Sequence, residues 1–129
     1  MKVLLVDDDR FQADSIRRGL HLMGHRTVSI GVGQAFEVLT SASPGTWDLV
    51  VLDLGVPGAQ FAVAADLRRQ APDLPILAIA GLATSPELEA ARRLGVPVLR
   101  KPFDATALDR AIRAAAEHHV SPKTGRRNP

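Results

Sequence analysis

Cysteine is absent from the 129 residues. That excludes disulfides, thiolate metal sites and cysteine nucleophiles, and it removes the usual support of a small secreted framework, so a cytoplasmic setting is expected. Long apolar runs are missing too. The opening MKVLLVDDD holds only Val3 to Val6 before three acids, too short for a signal-peptide core or a membrane span. A basic body is also lacking: Lys123, Arg126 and Arg127 account for the positive sign of the formal charge of +2, and without them residues 1 to 120 are slightly acidic. No membrane association and no direct nucleic-acid binding by this domain are expected.

What is present is a chain of the right length for one domain. The runs Val3 to Val6, Leu49 to Leu52 and Ile76 to Ile79 are continuously apolar, as strands covered on both faces must be. Thr27 to Ile30 and Val96 to Leu99 are weaker candidates, the latter restricted by Pro97 to an edge or an early ladder position. Helical spacing separates the runs. Ala13, Ile16, Leu20 and Met23 form one stripe, stopped by Gly24, and further helices are expected over 34–39, 61–70, 86–94 and 106–119. Five strand-then-helix units imply right-handed crossovers and a three-layer α/β sandwich. The flavodoxin-like strand order 2-1-3-4-5, with five helices, is the economical choice. The domain is expected over 1–120; Ser121 to Pro129 reads as a flexible tail or a truncated linker.

Open parallel sheets bind ligands beyond the carboxyl ends of their strands. Asp7 and Asp8 end the first run, Asp53 ends the third, and Lys101 follows the fifth. Three carboxylates gathered in one cleft repel one another, and a hard cation relieves the repulsion. Magnesium suits the oxygen ligands and keeps room for phosphate oxygens. Asp53 is then a candidate nucleophile for a phosphoryl group, and the Lys101 ammonium a candidate to balance its charge.

VLLVDDD, DLVVLDLGVPG and LRKPF, in that order and at these separations, resemble the receiver domain of two-component response regulators, of the chemotaxis-receiver type, over about residues 1 to 119. The resemblance implies that Asp53 is the phosphoacceptor and that Asp8 and Asp53 ligate Mg2+ (or Mn2+). It further implies that Asp7 holds the ion through water, that the Gly55 carbonyl contributes, and that Lys101 contacts the phosphoryl group. Val56-Pro57-Gly58 resembles the loop that shapes the site. A histidine kinase or phosphotransfer protein would be the donor partner, with an output partner or effector domain downstream and a homodimer as a further option. The protein would not be a turnover enzyme.

The chain departs from the family pattern at the switch. Ala80 stands where a threonine or serine hydroxyl is usual, and Val98 where an aromatic is usual. Thr84 and Ser85 come too late in the chain to replace the hydroxyl directly. Gln60-Phe61 replaces an acidic residue and glycine, and Gly55 and Leu82 offer no side-chain group to orient a hydrolytic water, so slow self-dephosphorylation is expected. The competing expectation is a degenerate receiver that binds partners without phosphorylation. A dehalogenase-like phosphatase is disfavoured, because Gly55 occupies the place of its second acid.

Simpler roles suit other residues. Asp9 is expected to cap the first helix, Asp14 and Asp48 to be solvated or capping acids, and Trp47 to pack. GVGQAF lacks a third glycine and follows the second strand, so it reads as a turn and helix start, not a dinucleotide loop.

Overall fold

The computed structural model describes residues 1–43, 45–54, 59–81 and 84–118. Five strands, β1 (Lys2–Val6), β2 (Arg26–Ile30), β3 (Leu49–Asp53), β4 (Ile76–Ala80) and β5 (Val98–Arg100), alternate with α1 (Arg10–Leu22), α2 (Ala35–Ser41), α3 (Ala59–Gln70), α4 (Ser85–Arg93) and α5 (Ala105–His118). A 3-10 turn, Val32–Gln34, precedes α2. All neighbouring strands pair in parallel, in the order β2-β1-β3-β4-β5. The flavodoxin-like sandwich expected from the sequence is the fold.

The continuous apolar runs are explained by which side chain goes to which face. In β1, Leu4 and Val6 join one core with Val50, Leu52, Ile76 and Ala78, covered by Ala64 and Leu67 of α3 and Ala91 of α4. Val3 and Leu5 join the opposite core with Val51 and Ile79, covered by Ile16 and Leu20 of α1 and Leu108 and Ile112 of α5. Period-two alternation therefore feeds two buried layers instead of one buried and one wet face. The two edge strands depart from it: β2 is mixed, with Val28 46% exposed, and β5 has no fully buried residue.

Several element ends differ from expectation by one or two residues, α3 for instance starting at Ala59 and α2 ending at Ser41. β5 begins at Val98, not Val96: Pro97 has no N–H to enter a ladder, although its carbonyl accepts from Ala78 N at 2.9 Å, and Val96 turns into the core. Residue 34, expected to open the second helix, belongs to the 3-10 turn. Helix stops follow the glycines: Gly24 and Gly95 take φ of 89° and 71°, where a side chain would be strained. Thr84 caps α4 reciprocally with Glu87, a signal the sequence carried three residues apart.

Arg68 forms a strut that no pattern announces. Its guanidinium donates to the carbonyls of Leu94 at 2.9 Å, Leu74 at 2.7 Å and Gly95 at 3.2 Å, tying the end of α3 to the end of α4. Trp47 packs at the margin of the core with the Lys2 ammonium 5.1 Å from its ring centroid.

Candidate functional site

Parallel pairing of β1 with β3, Val6 opposite Leu52, brings Asp7 and Asp53 to the same end of the sheet. Both are buried, Asp53 at 3% and Asp7 at 8% exposure. Lys101 leaves β5 with its backbone N–H bonded to Ala80 O at 2.9 Å, and its side chain reaches back so that Nζ lies 2.8 Å from Asp53 Oδ2. The same ammonium donates to Oε1 of Gln12, in the first turn of α1. A buried carboxylate paired with one ammonium is thus held at the point where β3, β4 and β5 end.

The remaining acids have separate tasks. Asp9 caps α1, accepting from the backbone N–H of Phe11 at 2.9 Å and Gln12 at 3.2 Å. Its own N–H donates to Asp7 Oδ1 at 2.9 Å. Asp8 is exposed and its Oδ1 accepts from Val32 N at 2.8 Å. Gly31 allows that approach, since a Cβ there would sit 3.1 Å from the same oxygen. Asp48 accepts from Lys2 N at 2.8 Å, and Asp14 pairs loosely with Arg17 on the surface.

Burial pushes the Asp7 carboxyl up to about 6; the Asp9 N–H opposes this, the Asp53 charge adds to it, and Lys101 offsets part. Its Oδ2 is buried with no hydrogen-bond partner among the described residues. An orphaned, buried carboxylate oxygen beside a second acid has the hard, all-oxygen donor character that Mg2+ takes. The structure brings Asp7 and Asp53 together while the Asp8 side chain is engaged at Val32, and among the described residues no three acidic or histidine side chains are already gathered as a ligand group. The expected ligand Gly55, the Val56-Pro57-Gly58 loop and Leu82 lie outside the described residues. A polar cleft of about 560 Å³ opens beside the acids, lined by Asp7, Asp8, Arg10, Asp14, Gly31 and Gln34.

Ala80, the last residue of β4, is buried and carries no hydroxyl; Val98 opens β5 and packs partly against the core around Ala78. Thr84 is occupied by its cap with Glu87. Sequence reasoning missed Gln12, whose partner lies 89 positions away. Its place in the turn that Asp9 caps was the only available signal.

A model of the response regulator receiver domain matches residues 3–113. The chain is 33% identical over 109 residues to the response regulator protein FleR of Pseudomonas aeruginosa, covering 83% of this chain and 23% of FleR. It is 33% identical over 120 residues to the response regulator protein PmrA of the same organism, covering 88% of this chain and 52% of PmrA. The chain therefore spans about half or less of the length of these curated relatives. Among solved structures, a response regulator receiver domain protein from Clostridium thermocellum aligns with a TM-score of 0.79 at 21% identity, covering 91% and 94% of the two chains, a likeness of fold. The non-phosphorylated HemR receiver domain of Leptospira biflexa aligns at 0.72 with 29% identity, covering 86% and 93%. With its strand order, its acid pair and its lysine, the chain belongs to the response regulator receiver domain family.

Proposed function

We propose that Asp53 accepts a phosphoryl group from the phosphohistidine of a histidine kinase or phosphotransfer protein, with Mg2+ (or Mn2+) as cofactor. The observation that carries this is the 2.8 Å pairing of Lys101 Nζ with Asp53 Oδ2 at the strand ends. A carboxylate oxygen of Asp53 bonds to phosphorus as the phosphorus–nitrogen bond of the donor breaks, its electron pair returning to the imidazole. Lys101 balances the charge of the transferred group. Asp7, Asp8, Asp53 and the Gly55 carbonyl would hold the ion, which supplies charge neutralisation to the phosphate oxygens when bound. The domain, over 1–120 with 121–129 as tail or linker, acts in the cytoplasm and turns over no metabolite. Gly55 and Leu82 give the acyl phosphate a slow self-hydrolysis; a lifetime of only seconds would contradict that.

A second reading rests on Ala80 and Val98: an interaction module that has lost the hydroxyl and aromatic of the switch. One experiment separates the two. Wild type and Asp53→Asn are incubated with acetyl phosphate or beryllofluoride plus magnesium. The phosphoacceptor reading expects a mass gain of one phosphoryl group and spectral changes in the wild type alone. An inert wild type leaves the interaction module standing.

A further inference from the structure

Gln12 stands outside the acid cluster. It is exposed in the first turn of α1, and its backbone N–H is fixed on the Asp9 carboxylate at 3.2 Å, which sets where its side chain begins. Its Oε1 accepts a hydrogen bond from the Lys101 ammonium, the same ammonium that stands 2.8 Å from Asp53 Oδ2. Lysine is a point charge on a flexible four-carbon stem and rests where its partners hold it. Asp53 is one anchor, but it is the group that changes when a phosphoryl group arrives. Gln12 is the second anchor and does not change.

The residue type fits that task. A leucine at position 12 would offer the ammonium no acceptor and a methionine only a weak one, while a glutamate would hold it but add negative charge beside an incoming phosphate. The neutral carboxamide oxygen does neither. Ala80 gives the transferred group no hydroxyl, so more of its charge stabilisation falls on Lys101 and on how well that ammonium is placed.

We infer that Gln12 is a positioning residue for phosphoryl transfer, holding the Lys101 ammonium beside Asp53 in readiness for the phosphoryl oxygens. The inference rests on the phosphoacceptor reading above. Phosphoramidate provides the test: its phosphorus–nitrogen bond breaks, an Asp53 oxygen bonds to phosphorus, and ammonia leaves. Gln12→Met, of similar length without a strong acceptor, is expected to be phosphorylated about tenfold more slowly, the lower end of a hydrogen bond to a charged group. Its melting temperature and its Mg2+ affinity should match the wild type. In magnesium-free protein, nitrogen NMR of the lysine ammonium groups should show the Lys101 signal broadened in Gln12→Met and restored in Gln12→Glu, which keeps an acceptor. Phosphorylation of Gln12→Met at the wild-type rate overturns the inference while leaving Asp53 as acceptor. A rate loss that comes only with a lower melting temperature overturns it as well, by assigning Gln12 to the helix. A wild type inert to phosphoramidate removes the phosphoacceptor reading itself, and this inference with it.

Discussion

Asp7 carries an electrostatic burden at the site, since one of its oxygens is buried without a hydrogen-bond partner among the described residues and its carboxyl is held near 6. A folded-state value above the ordinary 3.8 means that the folded chain binds this proton more tightly than the unfolded chain. The favourable contribution is therefore complete below about pH 4 and is lost as the pH rises through about 6. In metal-free protein at neutral pH, Asp7 is a charge the fold tolerates at a cost. Asp7→Asn keeps an oxygen for the Asp9 N–H and removes that charge, so it should stabilise the metal-free domain at pH 7.5. The rise from 3.8 to about 6 is equivalent to about 3 kcal/mol, which solvent screening in the open cleft reduces to on the order of 1 kcal/mol. The gain should shrink at pH 4.5, where the wild type is itself protonated. Thermal unfolding in chelator at the two pH values measures both; an Asp7→Asn protein less stable than wild type at pH 7.5 would contradict the account. The residue types at this site were legible in the sequence because acids after apolar runs are few. Their individual engagements were legible only in part: the Asp9 cap of α1 was expected, but nothing in Asp7-Asp8-Asp9 says that the middle carboxylate bonds the Val32 amide.

α4 shows how much of an element is written locally and how much is borrowed from elsewhere. Its start is local: Thr84 and Glu87 cap each other, and Pro86 lies in the first turn. Thr84→Ala should cost about 1 kcal/mol in urea unfolding, the usual worth of a cap. Its end is only half local. Gly95 stops the helix, but the carbonyls of Leu94 and Gly95 are held by Arg68, 26 and 27 positions earlier. Carbonyls leave no mark in a sequence, which is why the strut was not foreseen while the stripes of α1 and α5 were. Arg68→Met keeps the aliphatic stem and strips the donors from several carbonyls at once. Burial depresses the guanidinium pKa, so these are partly desolvated bonds, and the loss should reach about 2–3 kcal/mol in urea. Phosphorylation by acetyl phosphate should stay within roughly twofold of wild type, because the strut lies at the end of α3 and α4 away from Asp53. A stability unchanged from wild type would show that water replaces the guanidinium without penalty.

At the scale of the whole molecule, strand order and site are one fact: order β2-β1-β3-β4-β5 sets β1 beside β3, and therefore Asp7 beside Asp53. The parallel sheet was readable because short runs apolar on every residue, alternating with helical stripes, fit strands covered on both faces, and its order was the economical choice for five strand–helix units. The start of the short last strand lies two residues later than its apolar run suggests, because Val96 and Leu99 are equally apolar and only the missing N–H of Pro97 separates core from ladder. Under the proposed function, the same juxtaposition makes folding and metal binding interdependent. An ion that binds the native acids and not the unfolded chain adds stability by mass action, about 2.7 kcal/mol at a hundredfold excess over its Kd. For a domain of this size that is a rise of roughly 10 °C in melting temperature. Magnesium should produce such a rise at pH 7.5. It should be smaller at pH 5, where protons compete at Asp7, and smaller again in Asp53→Asn. The Val32 amide, bonded to Asp8, should shift in nitrogen–proton spectra along the same titration, because a carboxylate drawn toward a cation loosens its hold on that N–H. A full rise in melting temperature in Asp53→Asn, with the Val32 amide unmoved, would place the ion somewhere other than the strand ends.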